Sequence, residues 1–202
     1  MFDNNPKLKK AIHRLLIHPY SSRPRWWTRT FVNPFFIKRG KGTIIRSKSR
    51  LDIIPSKKFQ LGTRCIVEDY AIINNQMGDI IIGDNSRILS KCIVIGPVII
   101  GKNVIMAPGS QISGLTHNYK DINIPISLQG VSTQLTTIEG DVWVGANSCI
   151  NTGVTIGEHS MITPNSFVIK SVPAYSVVGG NPARIIKRYN HDKGEWEKVP
   201  KS

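Results

Sequence analysis

Long apolar runs are missing from this chain of 202 residues. No stretch reaches the roughly 18 consecutive apolar residues that a membrane-crossing helix needs. The apolar stretch after Lys10 is broken by His13 and Arg14, so it makes no secretory-signal core either. Cysteine is scarce: three residues, at 65, 92 and 149, an odd set that makes no disulfide framework. They read as packing residues in a reducing cytoplasm. Histidine is nearly as rare. His117 and His159 are the only two of the five in the repetitive part of the chain. A catalytic zinc takes about three protein ligands, so a zinc lyase is disfavoured and no metal is expected. Acidic residues number 13 against 27 Lys and Arg, a net charge of +14 with a pI near 10.0. Such a surface suits an anionic ligand, an anionic membrane or nothing beyond solubility. The basic residues concentrate between Lys7 and Lys58. No recognition helix, RNP-like aromatic strand or zinc module accompanies them, so nucleic acid is not an expected partner.

What the chain does have is a rhythm. From Leu61 to Val168 an apolar residue recurs every sixth position, with two breaks. Leu61, Val67 and Ile73 set the first phase; Ile82, Ile88, Val94, Ile100, Met106 and Ile112 the second; Ile138, Val144, Ile150, Ile156, Ile162 and Val168 the third. A helix would space them by three and four, and a half-buried strand by two. A six-residue period instead predicts an all-β hexapeptide-repeat parallel β-helix, with three short strands per coil. Residues eighteen apart then stack, Ile82 on Ile100, Ile88 on Met106, Ile138 on Ile156 and Val144 on Ile162. The second place of each hexad is often Gly, read as easing a sharp corner. The fifth place is small or β-branched from Cys65 to Val172, Thr116 included, and only Met77 departs. It reads as an inward corner.

A stack of coils needs caps. Leu8, Ala11, Ile12, Leu15 and Leu16 have helical spacing and predict a helix over 6–18. A short helix is expected over Ala183–Tyr189, with a frayed polar tail from about Asn190. The division expected is a basic helical cap over 1–42, the β-helix over 43–178, and a terminal loop, helix and tail over 179–202.

The breaks differ in size. Ile73 to Ile82 spans nine residues and reads as a tolerated corner bulge near Asn75–Met77. Ile112 to Ile138 spans 26, so a loop over 117–136, HNYKDINIPISLQGVSTQLT, leaves the coil. Long loops in compact repeats are usually functional or disordered. Tyr119, Ile122, Ile124, Ile126, Leu128 and Leu135 argue that this one is ordered. It opens on His117. A lone corner histidine is more often structural, but this one stands at the major break beside a loop able to cover a cleft. Imidazole titrates near neutrality and suits proton transfer.

The stretches IGKNVIMAPGSQISGLTH, NIPISLQG and IEGDVWVGANSCINTGVTIGEHSMITPNSFVIKSVPAYSVVGGNPARII resemble the hexapeptide-repeat acyltransferases. The similarity covers about 61–187. It leans to the galactoside, maltose, nodulation-factor and surface-polysaccharide O-acetyltransferases, with the xenobiotic acetyltransferases as relatives. The resemblance implies a left-handed β-helix, acetyl-CoA as acyl donor, and a homotrimer with active sites between subunits. It places the family's catalytic base on His117 and its site tryptophan on Trp143. Its CoA positions fall on Ala146, Pro164, Ile169, Lys170, Arg184 and Lys187. Ala146 and Ile169 stand where polar residues are common, so contact there would run through backbone or packing. The acceptor expected is a sugar or glycan hydroxyl in surface-polysaccharide or lipopolysaccharide synthesis, with Asn118 and Asp121 as its candidate contacts. An extra coil near 61–80 and the RPRWW segment depart from the galactoside branch. Arginine and tryptophan together suit a bilayer interface, so a cytoplasmic protein touching the inner membrane is expected. The alternatives are a xenobiotic acetyltransferase and a non-catalytic membrane-surface scaffold.

Overall fold

The computed structural model describes residues 11, 14–18, 21 and 23–200. The chain winds as a parallel β-helix of about six turns. Each coil lays one short strand on each of three sheets. Sheet I stacks Ile37–Arg39, Phe59–Leu61, Ile80–Ile82, Val98–Ile100, Thr136–Ile138 and Thr155–Ile156. Sheet II runs Ile44–Ile45, Ile66–Val67, Arg87–Ile88, Ile105–Met106, Trp143–Val144 and Met161–Ile162, then continues into the C-terminal strands. Sheet III stacks Arg50–Asp52, Ile72–Asn74, Ile93–Ile95, Gln111–Ser113, Cys149–Ile150 and Phe167–Val168. The chain therefore visits I, II and III in turn, and the sheets are the three sides of a prism. The winding is that of the left-handed β-helix acetyltransferases.

The expected stacks are present. Ile82 pairs with Ile100, Ile88 with Met106, Ile138 with Ile156 and Val144 with Ile162. These side chains are fully buried or nearly so, and they form one continuous core from Ile53 to Val178. Truncating a core isoleucine such as Ile112 or Ile150 to Ala costs about 2–5 kcal/mol. Among the described residues the first coil begins at Ile37, where Ile37–Arg39 pairs with Phe59–Leu61, six residues before the expected start at 43.

The hexad glycines have a different reason from the one expected. Gly83 and Gly101 do not take the left-handed conformation; a Cβ on Gly83 would lie 2.7 Å from the backbone of Gly101 and Lys102 in the next coil. Close stacking of coils, rather than the corner dihedral, demands glycine there. The left-handed bend falls two places later, at Asn85, Asn103, Asp141 and His159, with φ between 52° and 60°. The nine-residue break is a built corner. Asn75 is fully buried; its Oδ1 accepts from the Ile54 amide at 2.8 Å and its Nδ2 donates to the Lys57 carbonyl at 3.0 Å.

Three expectations at the ends and the large break change. Ala183–Asn190 is a strand, not a helix. After the turn at Asn181–Pro182 it finds the free edge of Ser176–Gly180 and pairs antiparallel with it. Edge pairing with β-branched Ile185 and Ile186 outweighs a weak helical pattern. The tail does not fray at Asn190, because Glu195–Lys198 adds a further antiparallel strand. The inserted loop spans 115–134, not 117–136: Leu115–His117 pairs with Val131–Thr133 as a hairpin. Thr116 is accordingly exposed, and Thr136 fills the inward slot fully buried, its Oγ1 donating to the Ser113 carbonyl at 2.8 Å.

At the N-terminal end, Ala11 and Arg14–Leu16 are helical, while the rest of 6–13 lies outside the described residues. The chain then turns through the π-helical Thr28–Val32 into the helix Asn33–Phe36, which sits on the first coil. Thr28 and Asn33 are buried beneath it.

Candidate active site

The insertion leaves the coil after Gln111–Ser113 on sheet III and returns at Thr136–Ile138 on sheet I. It therefore projects from the edge shared by sheets I and III. Sheet II is the opposite face. His117 is exposed at the outer end of the strand Leu115–His117, opposite Val131, and its ring makes no hydrogen bond with any described residue. The loop beyond it is organised by a residue the sequence did not flag. Gln129 Nε2 donates to the carbonyls of Asp121 at 2.8 Å and Ile124 at 2.7 Å, and its Oε1 accepts from the Asp121 amide at 3.1 Å. Asn118 closes the hairpin, donating to the Gln129 carbonyl at 3.1 Å and accepting from Ser132 Oγ at 2.6 Å. The Asp121 carboxylate accepts from the Asn123 amide at 2.9 Å, so it shapes the turn. The loop's apolar side chains stay uncovered: Ile122 is 94% exposed and Leu128 74%.

The residues assigned to the donor divide between two places. Trp143 faces outward on sheet II, half exposed, in the row Ile105, Trp143, Met161, Val177 and Lys187. Trp143 and Lys187 line one pocket of about 350 Å³ together with Met161, Val177, Asp141, His159 and Trp196. Ala146 and Pro164 lie on turns at the edge between sheets II and III, and Arg184 is exposed on the strand carrying Lys187. Ile169 and Lys170 follow Phe167–Val168, on the sheet III to sheet I edge, the same prism edge that carries His117. One chain thus gathers an apolar wall and cations on sheet II, and a histidine and one cation on the far edge. It does not bring the two sets together.

A second histidine site went unnoticed in the sequence. His159 Nδ1 lies 2.5 Å from Asp141 Oδ2. Trp196 lies over the His159 ring at 6.4 Å with 14° between planes, and Tyr175 sits 5.6 Å away. Tyr189 and His191 pack edge-on against their neighbours and complete the cluster. The signal was available: Asp141 and His159 are eighteen apart and share the left-handed corner column. Burial pushes the thiols of Cys65, Cys92 and Cys149 up from their ordinary value.

The chain matches the model of the bacterial transferase hexapeptide family over residues 79–114 and 135–170. Galactoside O-acetyltransferase of Escherichia coli (strain K12) is 36% identical over 101 residues, 46% of this chain and 45% of that protein. WbbJ of the same strain, provisionally named a lipopolysaccharide biosynthesis O-acetyl transferase, is 32% identical over 109 residues, 50% of this chain and 56% of its own. A hexapeptide-repeat acetyltransferase of Vibrio cholerae O1 biovar eltor, solved with acetyl coenzyme A, is 28% identical. It superposes with a TM-score of 0.58 over 74% of this chain and 72% of that one. This chain spans about half the length of the curated relatives it matches. Its coils are hexapeptide repeats of the kind that family model describes.

Proposed function

We propose that this hexapeptide-repeat chain is an acetyl-CoA-dependent O-acetyltransferase acting on a sugar or glycan hydroxyl, assembled as a homotrimer with sites between subunits. The observation that carries the reading is the division of the site. His117 hangs from one prism edge on a loop whose apolar face is uncovered, while Trp143 and Lys187 line a pocket on the opposite sheet. A second copy, laid with its loop edge against sheet II, completes the set and buries the loop's exposed isoleucines and leucine. Lys170 then arrives with His117, opposite Arg184 and Lys187.

The residues suit the donor. Acetyl-CoA is a polyanion with a long, less polar arm. Lys170, Arg184 and Lys187 would take its phosphates, and Trp143 beside Met161 and Val177 would take the arm. Contact at Ala146, Pro164 and Ile169 would be through backbone and packing. His117 would accept the acceptor's hydroxyl proton as that oxygen attacks the thioester carbonyl. The C–O bond forms, the C–S bond breaks, and the proton passes from the imidazolium to the departing thiolate. Such a base contributes about 10²–10⁴-fold. Asn118 and Asp121 would act on the acceptor through the shape of the loop, given the bonds their side chains already make.

The sugar acceptor is supported by the E. coli relatives, whose names concern a galactoside and lipopolysaccharide synthesis. We place the reaction in the cytoplasm, where acetyl-CoA is supplied, within surface-polysaccharide synthesis. A panel of galactosides, nucleotide sugars, lipid-linked glycans and chloramphenicol, followed by free thiol release from acetyl-CoA, tests this. Turnover with a glycan that His117→Ala abolishes supports the reading. Turnover with chloramphenicol alone would replace the acceptor by a xenobiotic, and unchanged turnover in the variant would overturn the role of His117.

A further inference from the structure

The N-terminal end carries the strongest charge asymmetry in the molecule. Residues 4–51 contain 13 of the 27 Lys and Arg and none of the 13 Asp and Glu. The acetyl-transfer site accounts for none of them. Next to this charge stand aromatic side chains in water: Phe35 is 83% exposed, Trp26 71% and Phe31 61%. Trp26 and Phe31 pack edge to face at 6.1 Å, which holds the pair upright on the helical turn. Arg23, Lys38, Arg39 and Lys41, from the flanking stretches of chain, are exposed as well. Between this turn and the first coil lies a groove of about 540 Å³. Arg29 from the helical turn and Arg46 from the first coil line it, together with Thr30, Ser47 and Ser49. Asn33 lines it too; it is 3% exposed, and its buried Oδ1 accepts no hydrogen bond from any described residue. A buried acceptor left without a donor is costly, and it marks a place where an outside donor is wanted.

We propose that this end is a docking face for an anionic phospholipid bilayer, with the groove holding one headgroup. The Arg29 and Arg46 guanidiniums and the Ser47 hydroxyl suit a phosphodiester; the Thr30 and Ser49 hydroxyls already donate to the Trp26 and Arg46 carbonyls. Trp26, Phe31 and Phe35 enter the interfacial layer beside that headgroup, and the exposed cations meet the negative surface potential. A duplex nucleic acid would satisfy the cations but leave the Phe side chains in water. The face lies outside the proposed active site, so acetyl-CoA turnover with a soluble acceptor is an independent control.

The test is co-sedimentation of the full chain with vesicles of phosphatidylcholine alone, or with about 30% phosphatidylglycerol, near 0.15 M salt. The expected result is retention on the phosphatidylglycerol vesicles only, undiminished by free glycerol phosphate. Phe31→Ser with Phe35→Ser should weaken retention about tenfold or more, leaving oligomeric state and turnover unchanged. Arg29→Gln with Arg46→Gln should remove the preference for phosphatidylglycerol. Equal binding to both vesicles, binding to neither, or retention unaffected by the Phe changes would overturn the proposal. So would dissociation of the assembly by the Phe changes, which would make the face an interface between copies. Displacement by a single-stranded oligonucleotide at matched phosphate would assign the face to nucleic acid instead.

Discussion

His117 and His159 sit in regions built on opposite plans. The insertion at 115–134 is held by its own backbone and by Gln129 and Asn118, and it offers its histidine and its apolar residues outward. The C-terminal cap contacts itself: His159, about half exposed, is tied to Asp141 and flanked by Trp196, with Tyr175 beside it and Tyr189 against Tyr175. A carboxylate-backed histidine beside a tryptophan looks like a catalytic pair when taken alone. The surroundings reverse that impression. The cap's histidine has partners within the chain, whereas the loop's histidine has none among the described residues and stands in solvent, open to a substrate or another copy. In the proposed reading, unfinished contacts rather than an Asp–His pair as such mark the working site.

The comparison breaks most sharply with a pair of alanines. His117→Ala should lower acetyl transfer about 10²–10⁴-fold with an unchanged melting temperature. His159→Ala should do the reverse, keeping turnover and lowering the melting temperature, as followed by thiol release and by thermal scans. The two outcomes exchanged would move the base to the cap. Next in size, Lys187→Gln or Arg184→Gln should raise KM for acetyl-CoA about tenfold with kcat little changed, since each removes one charge-assisted phosphate contact. A change in kcat alone would place them outside the donor site. Trp196→Ala should cost about 1–2 kcal/mol by unpacking the cap. Thermal scans should show that loss, and because Trp196 also lines the pocket assigned to the donor arm, KM for acetyl-CoA should rise with it.

The smallest effect concerns pH. In the terminal hairpin Lys193 Nζ lies 2.7 Å from Glu197 Oε1; the pair holds the Glu197 carboxyl below its ordinary value of 4.5 and the Lys193 ammonium above its ordinary 10.5. The carboxylate's share is present above 4.5 and lost as pH falls through the lowered value; the ammonium's is present below 10.5 and lost as pH rises through the raised one. Both groups are exposed, so the effect is small. Hairpin amide exchange, corrected for its intrinsic pH dependence, should show constant protection between those limits. A midpoint between those limits would contradict it.

The coils were legible because one physical demand, filling a column between stacked strands, repeats every eighteen residues and leaves Ile82, Ile100 and Ile138 no alternative. The same periodicity could have joined Asp141 to His159, but polar corner residues vary while apolar ones repeat. The strand at Ala183–Asn190 was illegible locally, since its partner is the open edge of Ser176–Gly180. The insertion was placed two residues late because Thr116 and Thr136 suit the inward slot equally by size; only the hairpin pairing separates them. The candidate site was legible as a set of residues and not as an arrangement, because half of it faces away from the other half.

That division can be tested by mixing chains. His117→Ala and Lys187→Glu subunits are co-expressed, and turnover of the mixed assembly is measured by thiol release at acetyl-CoA far below the wild-type KM, where each variant alone is nearly silent. A site shared between copies predicts recovery to roughly a quarter of the wild-type rate, since one in four subunit junctions then carries both intact residues. No recovery above the parent variants would contradict it and confine His117 and Lys187 to action within one chain.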